Sequence, residues 1–86
     1  MSYQVLVPEP IAKTLRELPK EIRGPIGFAM HCLAVDARPQ GSKKLKGKDN
    51  RYRIRVGDWR VIYSIEDQKL IVLVLRVADR KDVYRK

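Results

Sequence analysis

A Gly57-Asp58 pair between two segments of alternating residues constrains the fold of this chain more than any other feature. Gly-Asp in such a setting is typical of a two-residue hairpin turn. If these residues form the loop, the opposing pairs are Val56 with Trp59, Arg55 with Arg60, Ile54 with Val61 and Arg53 with Ile62. Directly opposed residues share one face of a sheet. The hairpin is therefore predicted to have an apolar face and a basic face, which carry Tyr52, Ile54, Val56, Trp59, Val61 and Tyr63 and, opposite them, Arg51, Arg53, Arg55 and Arg60.

The crowding of arginines on one face has a cost in stability. Like charges directly opposed on a sheet are unfavourable by up to about 1 kcal/mol per pair. A solvated outer face accommodates two arginines more readily than four, so the pattern favours a site that binds anions. A basic surface that serves only solubility is the alternative interpretation.

The charge of the whole chain points in the same direction. The formal net charge is +9, and most of the excess lies in residues 43–86. Such an asymmetric positive field attracts phosphate groups, whether on nucleic acid or on a membrane surface. Because the basic half is not predicted to be helical, a membrane-binding amphipathic helix is disfavoured. Nucleic acid is the favoured partner.

Composition excludes several classes of protein. Cys32 is the only cysteine, so it cannot form an internal disulfide or hold a zinc ion alone. The longest apolar run, residues 70–75, is far shorter than the roughly 20 residues that cross a bilayer. The first residues lack the basic and apolar regions of a signal peptide, so we expect a cytoplasmic protein.

The rest of the sequence predicts two helices and further strands. Alternation over residues 3–7 predicts a short strand, and a helix that begins near Pro10 is ended by Pro19. In the second helix Pro25 predicts either a kink or a loose first turn, and the apolar stripe consists of Ile22, Ile26, Ala29, Met30 and Leu33. Residues 36–50 have no periodicity and predict a long loop, whereas residues 70–77 predict the last strand.

These elements predict a single α+β domain over residues 1–86. Their order is β-α-α-β-β-β, with an antiparallel sheet packed on a two-helix hairpin. The sequence leaves the position of the first strand in the sheet open. The last strand is apolar on both faces, so Ile71, Leu73 and Leu75 either face a protein partner or are covered by the C-terminal tail.

Three stretches of the chain resemble the RelE toxins of the RelE/ParE superfamily of bacterial toxin–antitoxin systems. They are the hairpin run of residues 52–63, the preceding run of residues 44–47 and the following residues 77–84. Further positions fit as well, namely Ala12, Leu15, Leu18, Pro19, Arg23 and the loop of residues 39–41. The resemblance covers almost the whole chain and implies a RelE-like fold. The same framework carries both ribonucleases and gyrase poisons, so a ParE-like gyrase poison without ribonuclease activity is the alternative function.

The resemblance to RelE implies an mRNA interferase, a metal-independent endoribonuclease without a cofactor. Such enzymes cut mRNA in the ribosomal A site by attack of a ribose 2′-hydroxyl on the adjacent phosphate. The catalytic residues implied are Arg53, Arg55, Arg60, Arg80 and Tyr84, and the RNA-binding residues implied are Lys43, Lys44, Lys46, Lys48, Arg51 and Lys81. The partners implied are mRNA, the 30S A site with its rRNA, and a cognate antitoxin that is acidic and partly disordered until bound.

The general base is left open by this resemblance. Where relatives carry lysines on the first hairpin strand, this chain has Arg53 and Arg55. An arginine, with a pKa above about 12, cannot give up its proton in a protein. Tyr84 with a lowered pKa and a ribosomal group are the two candidates. His31 and Asp58 are expected to be structural, in the second helix and in the hairpin turn.

Overall fold

The computed structural model describes residues 2–47 and 49–79, which form a mixed sheet and two helices. The sheet order is β1-β5-β4-β3-β2. All strand pairs are antiparallel except β1 with β5, which is parallel. The elements are β1 (Gln4–Leu6), α1 (Glu9–Arg16), α2 (Lys20–Cys32), β2 (Lys43–Lys44), β3 (Arg51–Val56), β4 (Trp59–Glu66) and β5 (Ile71–Asp79).

The predicted α+β fold class is confirmed, and so is the register of the β3–β4 hairpin. Val56 pairs with Trp59, and the pairing continues to Arg51 with Ser64. Gly57 has a φ of 62°, the left-handed value that the first position of a type II′ turn requires. The turn therefore fixes which side chains of both strands share a face.

Two features of the sheet differ from the sequence-based prediction. β1 lies at the edge beside β5 and runs parallel to it, which makes the sheet mixed rather than wholly antiparallel. Within the predicted loop of residues 36–50, Lys43 and Lys44 form a short strand on the opposite edge, paired with Arg53 and Tyr52. A strand of two residues has no detectable periodicity, so its pairing depends on the neighbouring strand.

The core lies between the helices and one face of the sheet. Ile26, Met30 and Leu33 of α2 are buried, in agreement with the predicted stripe. α1 contributes only partly buried residues, among them Ile11 and Leu15. From the sheet, the buried hydrophobic side chains of this cluster are Ile54, Val61, Tyr63, Ile65, Val72 and Val74. The opposite face of the sheet is not covered by either helix and is called the open face below.

Pro25 lies inside α2 without ending the helix. The helix begins at Lys20, directly after Pro19, and continues through Pro25 to Cys32. A loose first turn is therefore not formed. Pro25 is in the second turn and lacks the N–H that would bond to the Glu21 carbonyl. No helix in the described ranges is both long and apolar enough to cross a membrane.

A bulge in β5 changes which residues face the helices. Tyr63 of β4 pairs with Val74, whereas the residue before it, Ile62, pairs with Arg76. Leu75 is therefore an extra residue in β5. Beyond the bulge, Val77 rather than Arg76 shares a face with Val61. The single inserted residue thus keeps an apolar side chain against the core on both sides of the irregularity.

Arg38 connects three distant parts of the chain. Its Nη1 and Nη2 donate to the two carboxylate oxygens of Asp67 at 3.2 and 2.8 Å, and its Nε donates to the Tyr52 hydroxyl at 3.1 Å. The guanidinium also lies 5.1 Å from the centre of the Tyr52 ring. The Tyr3 hydroxyl donates to Asp67 as well. This network joins the segment after α2 to β3, to the β4–β5 turn and to the residue before β1.

A buried hydrogen bond holds the same segment to the core. The Tyr63 hydroxyl donates to the Ala37 carbonyl at 2.8 Å, and both residues are buried. Burial raises the pKa of the Tyr63 hydroxyl to about 12, so it remains a donor at neutral pH. The Tyr63 ring also stacks on Tyr52, with the ring centres 6.1 Å apart.

Replacing Tyr63 by Phe removes this donor and leaves the Ala37 carbonyl buried without it. We expect the free energy of unfolding to fall by about 1–3 kcal/mol, the typical cost of an unsatisfied buried polar group. Urea denaturation measures the change. Tyr52→Phe is the matched control, because its hydroxyl bond to Arg38 is exposed, and we expect a smaller loss. Equal losses in the two variants would contradict the role assigned to the buried bond.

The Arg38–Asp67 pair predicts a specific dependence of stability on pH. Hydrogen bonds from Arg38 and Tyr3 hold the pKa of Asp67 below its ordinary value of 3.8. A folded-state pKa below the unfolded one means that the carboxylate stabilises the folded state above pH 3.8 and loses this effect as the pH falls through the lower value.

Thermal unfolding of wild type and Asp67→Asn between neutral and acidic pH measures that dependence. We expect the variant to be the less stable protein at neutral pH and the difference to shrink below pH 3.8. Arg38→Gln removes the cation of the pair and should reduce the acid dependence in the same way. A stability difference that is constant with pH would refute the assignment.

Candidate nucleic-acid interface

The open face of the sheet has a basic half and an apolar half. The basic half, called the basic face below, lies over β2, β3 and β4 and extends to one residue of β5. Strand pairing places the following residues on it: Lys43, Arg51, Arg53, Arg55, Arg60 and Arg76. The apolar half lies towards β5 and β1, where Arg51 is continued across the sheet by Ser64, Leu73 and Leu6.

Arg55 and Arg60 are brought together by the hairpin turn. They are directly paired across β3 and β4, which places their Cα atoms about 4.5–5.5 Å apart. Arg55 is exposed, and Arg60 is half-buried. Two guanidinium groups on adjacent strands are chemically suited to bind an anion, because each presents several N–H donors in a fixed plane.

Arg53 provides a second indication of an anion ligand. Its Nε is buried and has no hydrogen-bond partner within the described part of the chain. Buried polar atoms are nearly always hydrogen-bonded in folded proteins, so a charged donor in this state favours binding of an acceptor from another molecule. Over the ranges 2–47 and 49–79, Arg51, Arg53, Arg55 and Arg76 make no ion pair with a carboxylate. The carboxylate pairs of Arg16 and Arg38 lie elsewhere on the protein.

The structure brings some of the predicted site residues together. Arg53, Arg55 and Arg60 share the basic face with Lys43 and Arg51. Lys44 pairs with Tyr52 and therefore belongs to the other face of the sheet at its edge, and Lys46 lies in the turn that follows β2. The remaining predicted residues, Lys48, Arg80, Lys81 and Tyr84, lie outside the described residues.

β5 ends beside the Arg55–Arg60 pair of the hairpin. Asp79 pairs with Trp59, and Ala78 pairs with Arg60. Residue 80 therefore follows directly on the strand end that lies beside the Arg55–Arg60 pair.

One residue of the basic face, Arg76, was missed by sequence reasoning. Arg76 lies on it because of the bulge at Leu75, and Ile62 lies between Arg53 and Arg76 in the strand pairing. The alternation of residues along the hairpin correctly predicted that Ile62 faces away from the core. The bulge that moves Arg76 to the same face could not be predicted, because the sequence of β5 does not show where its alternation is interrupted. Arg76 follows an unbroken apolar run, which has no period.

Other candidate groups lie away from the basic face. His31 is exposed on α2, and Asp58 is exposed in the hairpin turn. A groove of about 230 Å³ between α2 and the hairpin turn is lined by apolar and acidic residues, among them Pro25, Trp59 and Glu21. In the described ranges no His, Cys, Asp or Glu side chains cluster in the way that a metal site requires.

Comparison with known proteins identifies the family. The family of the ParE toxin of type II toxin–antitoxin system, parDE, matches residues 12–84. Toxin RelE3 of Methanocaldococcus jannaschii is 32% identical, over 94% of each chain. Toxin RelG of Mycobacterium tuberculosis is 29% identical, over the full length of both chains.

Comparison with solved structures agrees with the sequence relatives. The archaeal RelE–RelB complex from Pyrococcus horikoshii OT3 superposes with a TM-score of 0.83 at 28% identity, and the match covers 100% of both chains. Sequence relatives and fold therefore agree over the whole length. This chain belongs to the RelE-type toxins of the RelE/ParE superfamily of type II toxin–antitoxin systems.

Proposed function

We propose that this chain is a ribosome-dependent endoribonuclease that inhibits translation by cleaving mRNA in the ribosomal A site. The observation that carries the proposal is the basic face, where Arg53, Arg55 and Arg60 lie on adjacent strands. A phosphodiester is the anion that such a face fits, since guanidinium groups bind phosphate oxygens in pairs. The family relationship supports the same class of activity.

The proposed reaction forms a 2′,3′-cyclic phosphate. The ribose 2′-oxygen loses its proton and bonds to phosphorus, the bond from phosphorus to the 5′-oxygen breaks, and the departing oxygen takes up a proton. Negative charge builds up on the non-bridging oxygens in the transition state. Arg55 and Arg60 are proposed to stabilise this charge from fixed positions, which requires no reorganisation during the reaction. Arg53 is proposed to hold the same phosphate with its unpartnered Nε.

The proton transfers are assigned to residues outside the basic face. Arginine stays protonated at physiological pH, so none of the hairpin arginines serves as the base. Tyr84 or a ribosomal group is proposed to accept the 2′-hydroxyl proton. Arg80 is proposed to donate a hydrogen bond to the leaving 5′-oxygen, which takes its proton from water. Lys43, Lys44, Lys46, Lys48, Arg51 and Lys81 are proposed to bind neighbouring phosphates of the mRNA or of rRNA.

A cognate antitoxin is proposed as the protein partner in the cytoplasm. The similar structure from Pyrococcus horikoshii is a RelE–RelB complex. An acidic antitoxin would neutralise the basic face and cover the apolar half of the open face. That half includes Leu6, which is 36% exposed, and Ile71, Leu73 and Leu75, which are partly exposed.

Substitution of the paired arginines tests the catalytic site. We expect Arg55→Ala and Arg60→Ala each to reduce the rate of mRNA cleavage on programmed ribosomes by about 10²–10³, the usual cost of one transition-state hydrogen-bond donor. Single-turnover cleavage measures this rate. Lys13→Ala is the control, because Lys13 is exposed on α1 in the helix layer.

Circular dichroism melting checks that the variants remain folded. Removing one of two opposed arginines relieves repulsion, so neither variant should melt below the wild type by more than a few degrees. Full cleavage activity in both folded variants would show that the site lies elsewhere.

The family match to a ParE toxin makes a gyrase poison the second candidate function. Mapping of RNA 5′ ends after induced expression distinguishes the two. We expect discrete cuts within codons of translated messages and their loss when translation is blocked before induction. Absence of cuts, together with accumulation of gyrase–DNA cleavage complexes, would establish the second function in place of the first.

A further inference from the structure

The bulge at Leu75 places an additional arginine on the basic face. If the pairing of Tyr63 with Val74 continued without irregularity, Leu75 would pair with Ile62 and Arg76 would pair with Val61. Because Val61 is completely buried against the helices, that register would direct the Arg76 guanidinium into the core. The extra residue instead pairs Arg76 with Ile62 and moves Arg76 to the open face.

Arg76 completes a row of side chains that crosses four strands. The pairs Lys43–Arg53, Arg53–Ile62 and Ile62–Arg76 place these residues side by side on β2, β3, β4 and β5. With strands about 4.8 Å apart, the Cα atoms of Arg53 and Arg76 are separated by about 10 Å. The half-exposed Ile62 lies between them. The row next to it holds Arg55, Arg60 and Ala78.

Arg76 is available for a ligand. It is exposed, and it makes no hydrogen bond or ion pair through its side chain in the part of the chain that the structure describes. A surface arginine on a sheet commonly pairs with a carboxylate on a neighbouring strand. Here the lateral neighbour on β4 is Ile62, so the strand pairing offers no acceptor on that side.

We propose that Arg76 forms a second phosphate-binding subsite beside the scissile phosphate. In it the Arg76 guanidinium binds the phosphodiester adjacent to the scissile one, which Arg53 contacts, and Ile62 contacts the ribose or base between the two phosphates. This inference rests on the proposed function, because it takes RNA as the ligand. An RNA strand that crosses the sheet would place one phosphate over Arg53, Arg55 and Arg60 and the next phosphate over Arg76. Arg76 then contributes to substrate positioning rather than to the bond-breaking step.

The pattern of charge favours a nucleic-acid strand over an acidic peptide as the occupant of this row. A polynucleotide has one anionic group for every nucleotide and an apolar base or ribose surface between them. The row alternates in the same way, with cationic Arg53, apolar Ile62 and cationic Arg76. Each phosphate contact releases condensed counterions from the nucleic acid, so it affects the salt dependence of binding.

The affinity for a short fluorescein-labelled oligouridylate with 2′-O-methyl riboses tests the subsite, because this probe lacks the attacking hydroxyl and stays intact. We expect Arg76→Gln to weaken binding about five- to tenfold and to reduce the slope of log K against log salt by about 0.7, the value for one phosphate contact on a single strand. Arg76→Lys, which keeps the charge, should retain the slope. Lys13→Gln on α1 is the matched control and should retain both values.

An unchanged affinity and salt slope in Arg76→Gln would overturn the proposal. The same holds if Arg76→Gln binds RNA like the wild type but binds the cognate antitoxin more weakly, which would assign Arg76 to the protein interface. The test is separate from that of cleavage. If the wild type cuts no RNA but Arg76→Gln shows the predicted loss of slope, the endoribonuclease proposal fails and the subsite remains.

Discussion

The antiparallel pairing of β3 with β4 is the interaction on which the rest of the structure depends. Its register is set by Gly57, whose left-handed φ of 62° allows the two-residue turn. Because side chains alternate strictly along a strand, this single register directs Ile54, Val61 and Tyr63 to the core. It directs Arg55 and Arg60 to the opposite face at the same time. A shift by one residue would bury the arginines and expose the core, so the fold and the basic face have a common origin.

Repulsion among the arginines is offset by the other face of the same strands. Burial of an apolar side chain such as Val61 contributes about 1.5–3 kcal/mol, whereas an opposed pair of like charges costs up to about 1 kcal/mol. The sheet therefore stays folded while it holds several guanidinium groups close together. A ligand that neutralises them, whether RNA or an acidic antitoxin, gains the energy of relieved repulsion in addition to its own contacts.

The bulge of β5 and the Arg38 network have related effects on the edges of the basic face. The bulge keeps Val77 towards the helices and turns Arg76 towards the open face. The network of Arg38 with Asp67 and Tyr52 holds the segment that leads into β2, and β2 in turn places Lys43 beside Arg53. Both features act by fixing the position of the backbone, in β5 and in the segment that leads into β2. They extend the cationic surface of the hairpin in both directions across the sheet.

The sequence alone determined the α+β class, the hairpin register and the shared face of Arg53, Arg55 and Arg60, because turn chemistry and alternation are local. It also predicted the buried stripe of α2, which follows from helical periodicity. Only the tertiary structure decided the parallel pairing of β1 with β5, the short strand β2 and the position of Arg76. Each of these depends on a neighbouring strand that is distant in sequence: an edge strand of two or three residues carries too little pattern, and a bulge is invisible within an apolar run. Local alternation assigns a side chain to one of two faces, whereas contacts across the sheet select which strand it lies beside.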